Sequence, residues 1–146
     1  MATVLAPTRH RLSVEDFQRM AQTGILNDDD RIELIAGDLI DMAPIGSEHA
    51  GVIDWLTRTL ILATAQQAIV RIQSSLVLDD RSQPQPDVLV LRPREDFYRR
   101  AHPRPDDVLL LIEVADTSVR FDREVKIPLY ARQGVPEVWL VDLTQR

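Results

Sequence analysis

The chain is expected to fold as an α/β protein, with a mixed central β-sheet flanked by helices. Three observations carry this expectation. Short runs that are apolar at every position, Val88–Leu91, Val108–Ile112 and Val138–Val141, read as strands covered on both faces. Between Ser47 and Gln67, Val52, Trp55, Leu56, Thr59, Leu60 and Ala63 recur at three- and four-residue spacing, the period of an amphipathic helix. The elements follow in the order helix, hairpin, long helix, three strands, helix, strand, which places helices on a sheet core.

Residues 1–12 read as a loose N-terminal arm, and 13–146 as one domain. Ser13 opens a short helix with Asp16 in the place of the usual capping-box acid or amide, Phe17 and Met20 form its apolar face, and Gly24 ends it. Residues 31–43 read as a hairpin with Gly37-Asp38 as its turn. Strict alternation would put Glu33 on the face opposite Ile32 and Leu34, as a solvated residue. Ser47 is expected to cap the long helix, with His49 in its first turn. A strand over 70–78 follows, with Val70, Ile72, Ser74, Leu76 and Leu78 on one face. Pro84 and Pro86 fix the entry to strand 87–91. Residues 92–106 form a charged, proline-containing loop before strand 107–114. Thr117 or Ser118 caps the next helix, which Gly134 stops and which Pro128 should kink or delay.

Composition narrows the chemistry. The chain has 146 residues, enough for a core without staples, and no cysteine, which excludes disulfides and thiolate metal sites. No apolar run is long enough to span a membrane and the N-terminus lacks a signal-peptide core, so a cytoplasmic location fits. The net charge of -6 argues against grip on nucleic acid by bulk charge and leaves room for a local arginine patch. The histidines, His10, His49 and His102, lack zinc spacing, and there is neither a glycine-rich phosphate loop nor a nucleophile elbow.

What remains is a pair of carboxylates and a lysine. Asp87 begins one apolar strand and Glu113 closes another. Lys126 is the only lysine in the chain, against sixteen arginines, so this position holds a compact point charge where nearly every other cation is a guanidinium. If the two strands are neighbours, their carboxylates can hold a hard divalent cation, and Lys126 can orient water or neutralise charge on a phosphoryl group. Gln73 is a candidate supporting side chain. Each acid taken alone reads more readily as a turn or surface residue, and only their joint order with Lys126 brings the two readings level.

These residues stand within a wider pattern: Arg31-Ile32-Glu33-Leu34-Ile35 with Gly37, Met42-Ala43-Pro44, His49, Gln83-Pro84-Gln85-Pro86-Asp87, Leu111-Ile112-Glu113-Val114, Ser118, Asp122-Arg123, Lys126, Leu129-Tyr130-Ala131 and Gly134-Val135-Pro136-Glu137-Val138-Trp139. From Leu12 onward the chain resembles the Uma-type restriction endonuclease family, a branch of the PD-(D/E)XK nuclease superfamily. The resemblance implies a restriction-endonuclease-like core and hydrolysis of phosphodiester bonds in DNA. It implies Asp87, Glu113 and Glu33 as metal ligands, Mg²⁺ or Mn²⁺ as the metal, and Asp87, Glu113, Lys126 and Glu33 as the catalytic set. A homodimer is a further expectation from the resemblance. Two departures stand out: the usual Glu-x-Lys would place lysine at Ala115, and relatives continue for some distance beyond this C-terminus. The competing expectation is therefore a nuclease-fold module that binds nucleic acid or assembles without turnover. On the enzyme reading, Asp87→Ala and Lys126→Ala abolish cleavage and leave the fold intact.

Overall fold

Two sheets organise the chain, which a computed structural model describes from residue 5 to residue 145. In chain order the elements are α1 (Val14–Gln22), β1 (Ile32–Ile35), β2 (Asp38–Asp41), α2 (Ser47–Thr64), β3 (Ile69–Ile72), β4 (Val88–Leu91), β5 (Val108–Ala115), α3 (Val119–Phe121), a π turn at Asp122–Lys126, α4 (Ile127–Arg132) and β6 (Val138–Asp142). The central sheet runs β3-β4-β5-β6, antiparallel as far as β5 and parallel between β5 and β6. It is the mixed α/β sheet that the apolar runs predict. The hairpin β1-β2 stands apart from it.

The sheet is buried on both faces because β4 and β5 send alternate residues to each. Leu89, Leu91 and Leu111 pack with Leu129, Tyr130 and Val135 on one side. Val88, Val90, Leu110, Ile112 and Val114 pack against Ile53 and Leu56 of α2 on the other. A smaller cluster joins Val14 and Phe17 of α1 to Leu34 and Val77.

Several local expectations need correction. The hairpin turn is Ala36-Gly37, both at positive φ, and Asp38 already pairs with Ile35. Gly37 is required twice: its φ is +85°, and a Cβ there would lie 2.6 Å from Arg11 Cβ. The cap of α2 is Gly46, not Ser47, and it offers no side-chain acceptor. The buried face of α2 is Ile53 and Leu56 with Val52 and Leu60, whereas Trp55 is 64% exposed. The strand expected over 70–78 ends at Ile72, because Gln73 turns to φ 46° and its N–H goes to the Asp87 carbonyl. Leu76 and Leu78 still reach the core as extended chain bonded to Pro84 and Ser82 carbonyls. Ser13 and Asp16 do form the capping box of α1. Of the expected arm, Met1 to Val4 lie outside the described residues. Arg9 pairs with Asp38, and the Leu12 N–H is bonded to the Gly37 carbonyl, so its later part is docked on the hairpin.

Pro128 has the largest local effect. It has no N–H to give and its ring crowds the carbonyl four residues back. The helical stretch answers by widening into the π turn at Asp122–Lys126, just ahead of the proline. Both Asp122 and Lys126 in that turn are buried.

Candidate active site

Four parts of the chain meet where β4 begins and β5 ends: β1, the segment 85–87, the first turn of α2 and the π turn. Each positions a polar side chain by its backbone. The β1 strand is tied to the segment before β4 by a two-way exchange between Leu34 and Gln83, which places Glu33 beside Gln85. Glu33 shares its strand face with Ile35, and that face turns to the main core. It is therefore 3% exposed and not solvated as alternation predicts.

Lys126, 2% exposed, holds this side together. Its Nζ donates to Glu33 Oε1 at 2.7 Å and to Glu113 Oε2 at 3.1 Å. Tyr130 donates its hydroxyl to the other Glu113 oxygen at 3.1 Å, and the Gln85 N–H donates to Glu33 Oε1 at 2.9 Å. Ala115, where a Glu-x-Lys motif would carry its lysine, is buried on β5, and the ammonium arrives at Glu113 from the π turn instead. Lys126 keeps one N–H beyond the two these acids use.

Asp87 is held differently. Beside Val114 the β4 strand has not yet begun, so the Val114 N–H and carbonyl would otherwise lack partners on that side. Asp87 Oδ2 accepts the Val114 N–H at 2.7 Å, and His49 Nε2 lies 2.9 Å from the Val114 carbonyl oxygen. His49 Nε2 is also 3.3 Å from Asp87 Oδ1. The His49 Nδ1 is buried with no hydrogen-bond partner. A proton on Nδ1 would have no acceptor, so the Nε2 tautomer is the one this contact selects.

Burial governs the titration of the cluster. It pushes the Glu113 carboxyl up to about 8, against the opposing pull of Lys126, with Asp87 and Glu33 adding to the rise. Burial alone would lower Lys126, but Glu113, Tyr130 and Glu33 raise it well above the ordinary lysine value. Burial also raises Asp87, opposed by the Val114 N–H and by His49, and raises Asp122, opposed by Lys126 and by the Ser118 hydroxyl. Buried carboxyls with raised pKa values are a mark of functional sites as well as of ion networks.

A cavity of about 490 Å³ opens onto these groups, lined by Arg31, Glu33, His49, Asp87, Glu113, Asp122 and Lys126 among others. The structure thus brings together all four residues singled out in the sequence. Gln73 contributes its backbone N–H to the Asp87 carbonyl and does not line this cavity. Asp122 and Tyr130, which lie four residues either side of Lys126 and share its helix face, belong to the family pattern but receive no site role from sequence reasoning. It left His49 undecided.

Among the described residues no three histidine, aspartate or glutamate side chains enclose a point as a ready metal cage. Asp87 Oδ1 and the Val114 carbonyl oxygen both face His49 Nε2, whose N–H sits between them, and Glu33, Asp87, Glu113 and Asp122 line the same cavity. An oxygen-rich set of this kind, open to a cavity, suits Mg²⁺ or Mn²⁺, which take one or two carboxylates and leave the remaining positions to water and substrate.

Comparison with known proteins identifies the lineage. The Uma2 family, described as "Putative restriction endonuclease", matches residues 14–146. The fold is similar to that of a crystal structure described as a putative nuclease belonging to DUF820 from Anabaena variabilis, with a TM-score of 0.67 and 14% sequence identity, over 90% of this chain and 74% of that one. No curated protein matches the chain. The family match spans the sheet, the carboxylate cluster and the π turn, and the protein belongs to the Uma2 family.

Proposed function

We propose that the protein is a metal-dependent endonuclease that hydrolyses phosphodiester bonds in DNA. The observation that carries this reading is the buried lysine held between Glu33 and Glu113, beside Asp87, on the wall of one cavity. Asp87, Glu113 and the Val114 carbonyl are the groups that would hold Mg²⁺ or Mn²⁺, with His49 as the hydrogen-bond donor that positions Asp87 and the Val114 carbonyl. A bound divalent ion supplies an activated water and neutralises charge on the phosphate. Glu33, expected as a ligand, is read here chiefly as the acid that fixes Lys126. The remaining N–H of Lys126 is available to a phosphoryl oxygen or to the attacking water, in a pocket where such a contact is strong. Arg31, anchored through the Ala43 carbonyl at 2.7 Å, adds a guanidinium to the cavity wall. A second copy of the chain would supply the second site that cutting both strands requires.

One observation favours the alternative, a nuclease-fold binding or assembly module without turnover. Both oxygens of Glu113 are already engaged, by Lys126 and by Tyr130. A nicking assay on supercoiled and linear DNA with Mg²⁺ and Mn²⁺ separates the two. The enzyme reading expects metal-dependent cleavage that Asp87→Asn removes. Equal cleavage by Asp87→Asn, or none by the parent with either metal, rejects it.

A further inference from the structure

We infer that the loop joining β4 to β5 is a second, distinct contact surface for a nucleic-acid strand, with Phe97 as a stacking platform and arginines as phosphate contacts. This rests on the nuclease reading above and adds where the substrate lies beyond the carboxylates. The loop is built rigidly. Tyr98 is 5% exposed and donates its hydroxyl to the Arg92 carbonyl at 2.7 Å. The Arg94 guanidinium lies 4.2 Å over the Tyr98 ring centroid and is paired with Asp96. Arg71 of β3 reaches up to the Phe97 carbonyl at 2.7 Å. The Val77 N–H binds the Pro103 carbonyl at the loop's far end.

This framework holds two adjacent aromatic residues, Phe97 and Tyr98, at φ of 51° and 58°. That region is disfavoured for bulky side chains, and such strain concentrates at functional surfaces. Its consequence is that Tyr98 turns in while Phe97 stands 61% exposed. Near Phe97, Arg99, Arg100 and Arg104 are exposed and their guanidinium groups are free, whereas those of Arg71 and Arg92 are bonded to the Phe97 and Asp106 carbonyls. Arg71, Arg92, Arg99, Arg100 and Arg104 have no carboxylate partner among the described residues, whereas Arg9, Arg11, Arg19, Arg120 and Arg123 each have one. The loop's own acids do not cancel them all: Asp96 is taken by Arg94, Asp107 accepts the Arg104 N–H, and Glu95 and Asp106 remain. In a chain of net charge -6, this is a local concentration of unpaired guanidinium.

A groove of about 1150 Å³ lies against the loop. Its lining includes Gln85, whose N–H binds Glu33, and also Arg99, Arg100 and Arg104. The same groove carries Glu15, Asp28, Asp30, Asp79 and Asp80, which repel phosphate and leave Arg81, Arg99, Arg100 and Arg104 as its phosphate contacts. A nucleic-acid strand matches both halves of the surface: phosphates for the guanidinium groups and a base face for Phe97. An acidic peptide matches only the first.

Fluorescence anisotropy with a labelled DNA duplex and its single strand, in Ca²⁺ across a range of salt, tests this directly. Relative to the parent, Arg99→Ala/Arg100→Ala should lower the slope of log affinity against log salt by about 1.8 on the duplex, two phosphate contacts' worth. Phe97→Ala should weaken single-strand binding about tenfold with the slope unchanged. Arg58→Ala on α2 should change neither, and thermal melting should show all variants folded. A parent that binds and an arginine variant with an unchanged slope overturn the loop assignment alone. Competition by polyglutamate as effective as by DNA overturns it in favour of an acidic protein partner. A parent that binds neither probe overturns both this inference and the nuclease reading.

Discussion

Glu113 and Asp87 lie at the ends of neighbouring strands and are both buried, yet their surroundings differ. Glu113 is enclosed by protein: Lys126 takes one oxygen, Tyr130 the other, and Glu33 completes the ion network. Asp87 is tied down on one side only, by the Val114 N–H, and its second oxygen meets a histidine whose other nitrogen has no partner. The first arrangement is closed and bears on stability; the second is open and bears on ligands. The same residue class thus carries two separable tasks, and substitutions should separate them.

The largest effect is expected on the closed side. Lys126→Met leaves buried Glu33 and Glu113 without the ammonium that bridges them, and should cost about 3–5 kcal/mol in a denaturant melt. The sequence-based expectation that a lysine substitution spares the fold is replaced by this one, because Lys126 proves to be 2% exposed and doubly paired. Loss of activity in that variant is therefore no measure of chemistry by itself.

Next comes pH. With its carboxyl raised to about 8, Glu113 holds a proton in the folded chain that the unfolded chain has lost above about pH 4.5. The folded state binds more protons across that window, so this group's contribution to stability falls as pH rises from about 4.5 to 8. Glu113→Gln, which cannot ionise, should flatten that part of the profile of melting temperature against pH. An unchanged profile would show that Glu113 is ionised throughout.

Smaller effects fall on the open side. Asp87→Asn keeps an oxygen for the Val114 N–H and should melt within about 1 kcal/mol of the parent, whereas Asp87→Ala orphans that donor at a cost of about 1–3 kcal/mol. His49→Ala should cost about 1 kcal/mol through the Val114 carbonyl and weaken Mn²⁺ binding about tenfold in calorimetry. Undiminished Mn²⁺ affinity would remove His49 from the site.

The difference between the two sides also explains what the sequence makes legible. Asp87 and Glu113 stand out because each interrupts an apolar strand, and Lys126 because it is the lone lysine among arginines. The strands β4 and β5 are visible because burial on both faces leaves no polar alternation to confuse them, whereas β6, expected to be covered on both faces, is an edge strand with Trp139 45% exposed. Glu33 misleads because alternation predicts which residues share a face and not which face meets solvent; here Glu33, Leu34 and Ile35 are all buried. The break at Gln73 depends on a left-handed backbone that glutamine does not announce. Pro128 signals a disturbance correctly, but only the fold shows that it is absorbed by a π turn that aims Lys126 inward. Tyr130, a helical turn beyond Lys126, was within reach of the same periodicity.

The central claim is that the open side, at Asp87, is a divalent-cation site whose loss leaves the closed side standing. Calorimetric titration of Mn²⁺ into the parent and Asp87→Asn, each with its melting curve, tests it most directly. The expected result is Mn²⁺ binding by the parent, its loss in Asp87→Asn, and melting curves that nearly coincide. Equal Mn²⁺ binding by both proteins would contradict the claim.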